Sequence, residues 1–168
     1  MNELLNELER AAWGGFVGTQ GRLFQRIEED LRQNSGITHA EFEVLLRLRF
    51  AEGGRQRLQD LAAASLLSRS GTSRAVGRLV RAGLMSRVDA EEDGRGAYAV
   101  LSAAGKKRFE RAAGHHLALV RAQFLRHFSV EELKVLAGFW RRLKAADLDA
   151  PSPEPVTARR SPRRRARS

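Results

Sequence analysis

The sequence predicts a mainly α chain with one small β-hairpin. Apolar residues recur at three- and four-residue spacing along most of the first 147 positions. Two short helical patterns follow one another closely between Leu58 and Leu79. Two runs too short for helices, Leu84–Asp89 and Ala97–Leu101, flank a polar, glycine-containing turn.

The first helix is expected from about Leu4 to Leu31, with Leu4, Leu8, Phe16, Leu23, Phe24, Ile27 and Leu31 at helical spacing. Gly14, Gly15, Gly18 and Gly21 interrupt it, each costing about 1 kcal/mol relative to alanine. A kink, or a close approach to another surface, is expected there. Asn34-Ser35-Gly36 ends it. Thr38-His39-Ala40-Glu41 has the form of a capping box and opens a helix running to about Ala51, with His39 expected at the surface. Leu58, Leu61, Ala62 and Leu66 share a face of the first short helix. Thr72, Ala75, Val76 and Leu79 do so in the second, with Ser68 as its cap and Gly83 as its end. This is the helix-turn-helix pattern, and the hairpin after it is a wing.

A long helix follows from about Ala103 to Phe128, its stripe formed by Phe109, Ala113, Leu117, Val120 and Phe124. Ser129-Val130-Glu131-Glu132 is a second capping box. The helix behind it spaces Leu133, Leu136, Trp140 and Leu143 as a seam, with Phe139 alongside. From Leu148 the composition changes to proline and arginine. All four prolines and six arginines stand there against two acids, Asp149 and Glu154, as a basic tail without a core.

The net charge is +10, and the larger part of it lies outside the tail. Such a chain favours polyanions. It contains no cysteine, which excludes disulfides and thiol switches, and no His/Asp/Glu spacing suggests a metal site. Glu3, Glu7 and Glu9 spoil any signal-peptide pattern, and no apolar run nears the roughly 20 residues of a membrane span. A soluble cytoplasmic protein is expected, without cofactor. No nucleophile–base pair or paired carboxylates stand out, and Gly14, Gly15 and Gly18 do not follow a strand, so no dinucleotide fingerprint or enzymatic role is read.

The second short helix carries the sharpest signal. With Thr72, Ala75, Val76 and Leu79 inward, Arg69, Ser70, Ser73, Arg74 and Gly77 face outward behind the cap Ser68. That face joins short hydroxyls to long cations and holds no acid. Hydroxyls suit phosphates or base edges, and arginine suits the paired acceptors of guanine in a major groove. Arg78, one turn further along, is a further DNA candidate. In the wing, Arg95 is placed to enter a narrow minor groove, with Asp93 to hold its rotamer.

Leu67-Ser68-Arg69-Ser70 through Arg81-Ala82-Gly83-Leu84, then Asp93-Gly94-Arg95-Gly96 and Val100-Leu101-Ser102-Ala103-Ala104-Gly105, resemble the MarR family of transcription regulators. Gly71 and Gly77 depart from its usual polar positions. The resemblance implies one winged helix-turn-helix domain over 1–147, with its core at about 38–101. Dimerisation helices at about 3–32 and 103–147 would interleave in a homodimer, and 148–168 would be a disordered tail. It also implies recognition-helix contacts by Arg69, Ser70, Ser73 and Arg74, a wing contact by Arg95, and a palindromic double-stranded DNA site. A small-molecule effector pocket, often for aromatic acids, is implied as well. Trp13 and Phe16 are candidates to line it, Arg10 or Arg47 to meet a carboxylate, and His116 to accept a ligand acid or a proton. The rival expectation is an architectural DNA binder without ligand control, which the arginine tail fits.

Overall fold

A computed structural model describes residues 5–65, 67–89 and 96–146. Leu4, Leu66, Asp93, Arg95 and residues 147–168 lie outside the described residues.

The chain runs α1 (Glu7–Ser35), α2 (His39–Phe50), a 3₁₀ turn (Glu52–Gly54), β1 (Arg55–Arg57), α3 (Leu58–Ala64), α4 (Arg69–Arg81), β2 (Met85–Asp89), β3 (Ala97–Leu101), α5 (Ala103–Gln123), a second 3₁₀ turn (Leu125–His127) and α6 (Val130–Ala145). No helix among the described residues is long and apolar enough to cross a membrane.

Side-chain caps set most helix starts. The Asn6 side chain accepts the Glu9 backbone N–H at 2.9 Å and the Glu9 carboxylate accepts that of Asn6 at 2.8 Å, so α1 begins later than the apolar pattern suggests. The expected boxes at Thr38–Glu41 and Ser129–Glu132 are both formed. Gly83 closes α4 in a Schellman turn: its N–H donates to Val80 and that of Leu84 donates to Leu79. The turn needs the left-handed φ of +68° that glycine supplies at no steric cost. Helix α1 runs unbroken through its four glycines, and a Cβ at any of them would meet nothing within 4 Å in this chain.

The described residues divide into two compact units, one within 22–127 and one formed by 5–21 with 128–146. In the first, Leu31, Val44, Leu45, Leu48, Leu61, Ala75, Leu79, Ala99 and Ala112 are fully buried. Helix α2 packs on α4 and α5 around this core, and Phe42 stacks on Phe109 with ring centroids 5.5 Å apart. Of the expected α5 stripe, Phe109 is buried and Ala113 and Val120 pack against the core, whereas Leu117 is 51% exposed and Ala112 is buried beside them. His39, expected at the surface, is half-buried, its ring centroid 5.1 Å from that of Phe24 of α1 in an edge-to-face arrangement.

The sheet has three strands, not two, in the order β1-β3-β2, all antiparallel. Arg55-Gln56-Arg57 lacks the apolar alternation that announces a strand, and its partner lies more than 40 residues ahead. In the second unit Leu5, Trp13, Phe16, Leu136, Phe139, Trp140 and Leu143 line an open groove of about 680 Å³.

Candidate nucleic-acid interface

Helix α4 is held by its inner face. Thr72, Ala75, Val76 and Leu79 are buried, as their spacing requires, and Arg69, Ser70, Ser73 and Arg74 are exposed on the other side. The Ser68 Oγ accepts the Gly71 N–H at 3.1 Å and lies 3.2 Å from the Ser70 Oγ. The Thr72 hydroxyl donates to the Ser68 carbonyl at 3.2 Å. These bonds place both serine hydroxyls at the helix start.

The electrostatics of that start differ from most of the other helices. Helices α1, α2, α3 and α6 carry an acid in the first turn, which complements the positive end of the dipole, whereas α4 carries none. Its N-terminus therefore remains available to an external anion such as phosphate. Arg69 and Arg74 have no ion-pair partner among the described residues.

Arg78 is placed differently. Its Nε donates to the Glu41 Oε1 at 2.7 Å, while the other Glu41 oxygen accepts the Thr38 backbone N–H at 2.7 Å. The side chain thus reaches back onto α2, away from the four outward residues. Spacing alone gave no sign of this, because the partner stands 37 residues away. Asp93 and Arg95 lie outside the described residues.

The effector candidates fall in both units. Trp13 and Phe16 line the apolar groove, with ring centroids 5.9 Å apart and Phe16 5.6 Å from Trp140. Arg10 donates to the Leu5 carbonyl at 2.8 Å. In the other unit Arg47 bonds the Glu43 carboxylate at 3.1 and 3.3 Å. His116 leans on the Phe42 ring at 4.9 Å, with its Nδ1 buried and without a hydrogen-bond partner. Burial, and then the neighbouring His39, hold its pKa below the ordinary histidine value, and Asp30 pulls the other way.

A helix-turn-helix with a cationic, hydroxyl-bearing outer face, followed by a small antiparallel sheet, defines a winged-helix DNA-binding protein. The profile of the family described as MarR matches residues 35–96. AbsC, a MarR family transcriptional regulator of Streptomyces coelicolor, is 33% identical over 86% of this chain and 100% of its own, with a TM-score of 0.76. The chain belongs to the MarR family of DNA-binding transcription regulators. Sco3205 of the same organism, a MarR family regulator solved in complex with DNA, is 26% identical over 87% of this chain and 96% of its own, with a TM-score of 0.80. BpsR of Bordetella bronchiseptica, whose DNA binding is regulated by 6-hydroxynicotinic acid, is 22% identical over 78% of this chain and 94% of its own, with a TM-score of 0.65. At that identity it shares the fold. Among curated proteins no match was found.

Proposed function

We propose that this regulator is a homodimeric repressor that holds a palindromic operator and releases it when a small aromatic acid binds. The observation that carries the proposal is the outer face of α4, where Arg69, Ser70, Ser73 and Arg74 are exposed at a helix start free of acids. Two such helices about one helical turn apart, ~34 Å, match successive major grooves on one side of a duplex. Ser68, Arg69, Ser70, Ser73 and Arg74 are the proposed contacts, with Arg95 and its neighbour Asp93 in the wing. Arg78 acts from behind, through Glu41. Pairing is assigned to the terminal helices, whose aromatic groove is the apolar face a second copy would cover.

The effector reading draws support from BpsR, whose DNA binding is regulated by 6-hydroxynicotinic acid, and from candidates within each unit, Arg10, Trp13 and Phe16 in one and Arg47 and His116 in the other.

Selection of bound fragments from random duplex tests the operator. A regulator enriches one palindrome and holds it roughly 10³-fold or more above random sequence. Arg74→Ala or Arg69→Ala then lowers operator affinity by about 1–3 kcal/mol. The arginine tail favours a second reading, an architectural binder, which would enrich no sequence. Deleting residues 148–168 separates the two. A regulator keeps its preferred sequence and shows a shallower salt dependence, while an architectural binder loses most of its affinity.

A further inference from the structure

The sheet has an outer face that the recognition helix does not use. Across the register Arg57 stands opposite Tyr98 and Tyr98 opposite Val88, while Arg55 stands opposite Val100 and Val100 opposite Ser86. Directly opposed residues share a face, and successive residues alternate. Ala99 and Met85, both buried, mark the inner face. Arg55, Arg57, Tyr98, Val88 and Ser86 therefore share the outer one, where Val88 is half exposed. None of these residues is acidic; Asp89 pairs with Ala97 on the inner register.

The two arginines are organised by the tyrosine. The Arg55 guanidinium carbon lies 4.0 Å from the Tyr98 ring centroid and that of Arg57 lies 5.3 Å from it. Cation–π attraction to one ring draws both guanidinium groups toward Tyr98. Two cations are thereby held near one another with little rotamer freedom left to lose on binding. The Arg57–Tyr98–Val88 row lies at the end of the sheet where β2 and β3 are joined through residues 90–96. The patch thus extends the winged region that follows the recognition helix in the chain.

We propose that this Arg55–Tyr98–Arg57 face is a second DNA contact, one that holds backbone phosphates of the duplex beyond the bases read by α4. Charge complementarity and continuity with the wing select the occupant. A guanidinium pair fits the paired oxygens of successive phosphates. It contributes affinity and register without sequence preference. The proposal rests on the DNA-binding reading of α4 given above.

The test titrates purified full-length protein and variants onto the selected operator, on an unrelated duplex of equal length, and on an operator trimmed to its two half-sites, across a range of salt. Arg55→Ala and Arg57→Ala should each reduce the slope of log affinity against log salt by about one. Each should weaken operator and unrelated duplex by the same factor, and neither should change binding to the trimmed operator. Arg55→Lys should keep the slope, because the charge remains, and Tyr98→Leu should weaken the long duplexes only. Thermal unfolding of each variant separates these effects from misfolding. Unchanged slopes for both alanine variants, with Arg74→Ala still damaging operator binding, would overturn this inference alone. Loss of sequence preference in Arg55→Ala would overturn it too, by making the arginine a base reader. If Arg74→Ala leaves operator binding intact, the reading of α4 fails instead, and this contact with it.

Discussion

At the scale of single residues, two glycines of similar appearance in the sequence have opposite roles. A Cβ on Gly105 would lie 1.9 Å from the Leu84 carbonyl oxygen, which already accepts the Ser102 N–H at 3.2 Å. The Leu84 backbone cannot swing aside as a side chain would, so Gly105→Ala forces α5 away from the turn after α4. It should cost about 3 kcal/mol, read from chemical denaturation. A Cβ on Gly77 would meet the tip of Arg81 at 3.6 Å, an ordinary contact with a mobile group. Gly77→Ala should therefore stabilise by about 0.5–1 kcal/mol through helix propensity, and a loss of stability would show a packing demand on α4. Ser102 caps α5, and its hydroxyl accepts the N–H of Gly105 three residues later. What the sequence conceals is the Leu84 carbonyl that crosses that spot from 21 residues earlier. Arg78 has the same lesson in charge. Its bond to the well-buried Glu41 is worth about 1 kcal/mol, discounted because the arginine side chain is 42% exposed. Arg78→Ala should lower stability by that amount and leave the salt slope of DNA binding unchanged. A slope lower by one would return Arg78 to the phosphate contacts.

At the scale of elements, caps and faces were legible and pairings were not. Thr38, Ser68 and Ser129 announce their helices because a capping residue and its partner lie within one turn. Strand β1 does not announce itself, because its only pattern is a cation on either side of Gln56. The junction of α1, α2 and α5 was equally hidden, since it joins residues from three distant segments. There His116 of α5 faces Phe42 and His39 of α2 and senses Asp30 of α1, whose Oδ1 accepts from Asn34 while its Oδ2 is buried without a partner. Because burial lowers the folded-state pKa, the fold favours the neutral ring. The stability this adds is intact above the ordinary histidine value near 6.5 and is lost as pH falls below it. Denaturation midpoints should drop between about pH 7 and pH 5.5, and His116→Gln should flatten that drop. Glu28 titrates in a separate, more acidic window. Burial would raise its pKa, but the His39 backbone N–H and Arg32 outweigh burial and hold it below the usual carboxylate range. A pH profile unchanged in His116→Gln would mean that other groups carry the acid sensitivity.

At the scale of the whole molecule, the terminal helices present more apolar surface than one chain covers. Leu8, Trp13, Phe16, Val135, Phe139, Trp140 and Leu143 are all exposed, and Trp13 is 61% so. The seam of Leu133, Leu136, Trp140 and Leu143 was legible from spacing, because a periodic apolar face far from the winged segment has to be covered by something. The proposed dimer turns this surface into a prediction about concentration. If a second copy covers it, folding and pairing are linked by mass action, so Tm should rise with protein concentration. Trp140→Glu puts a charge in the groove beside Phe16, where burial without a partner is prohibitive. Sedimentation should then show a monomer. Its affinity for the full palindrome should fall toward that of a single half-site, because the gain from engaging both half-sites on one tether is lost. The isolated half-site should bind this variant as it binds the native chain, since α4 is untouched. A variant that still sediments as a dimer and still holds the palindrome would place the self-association face elsewhere.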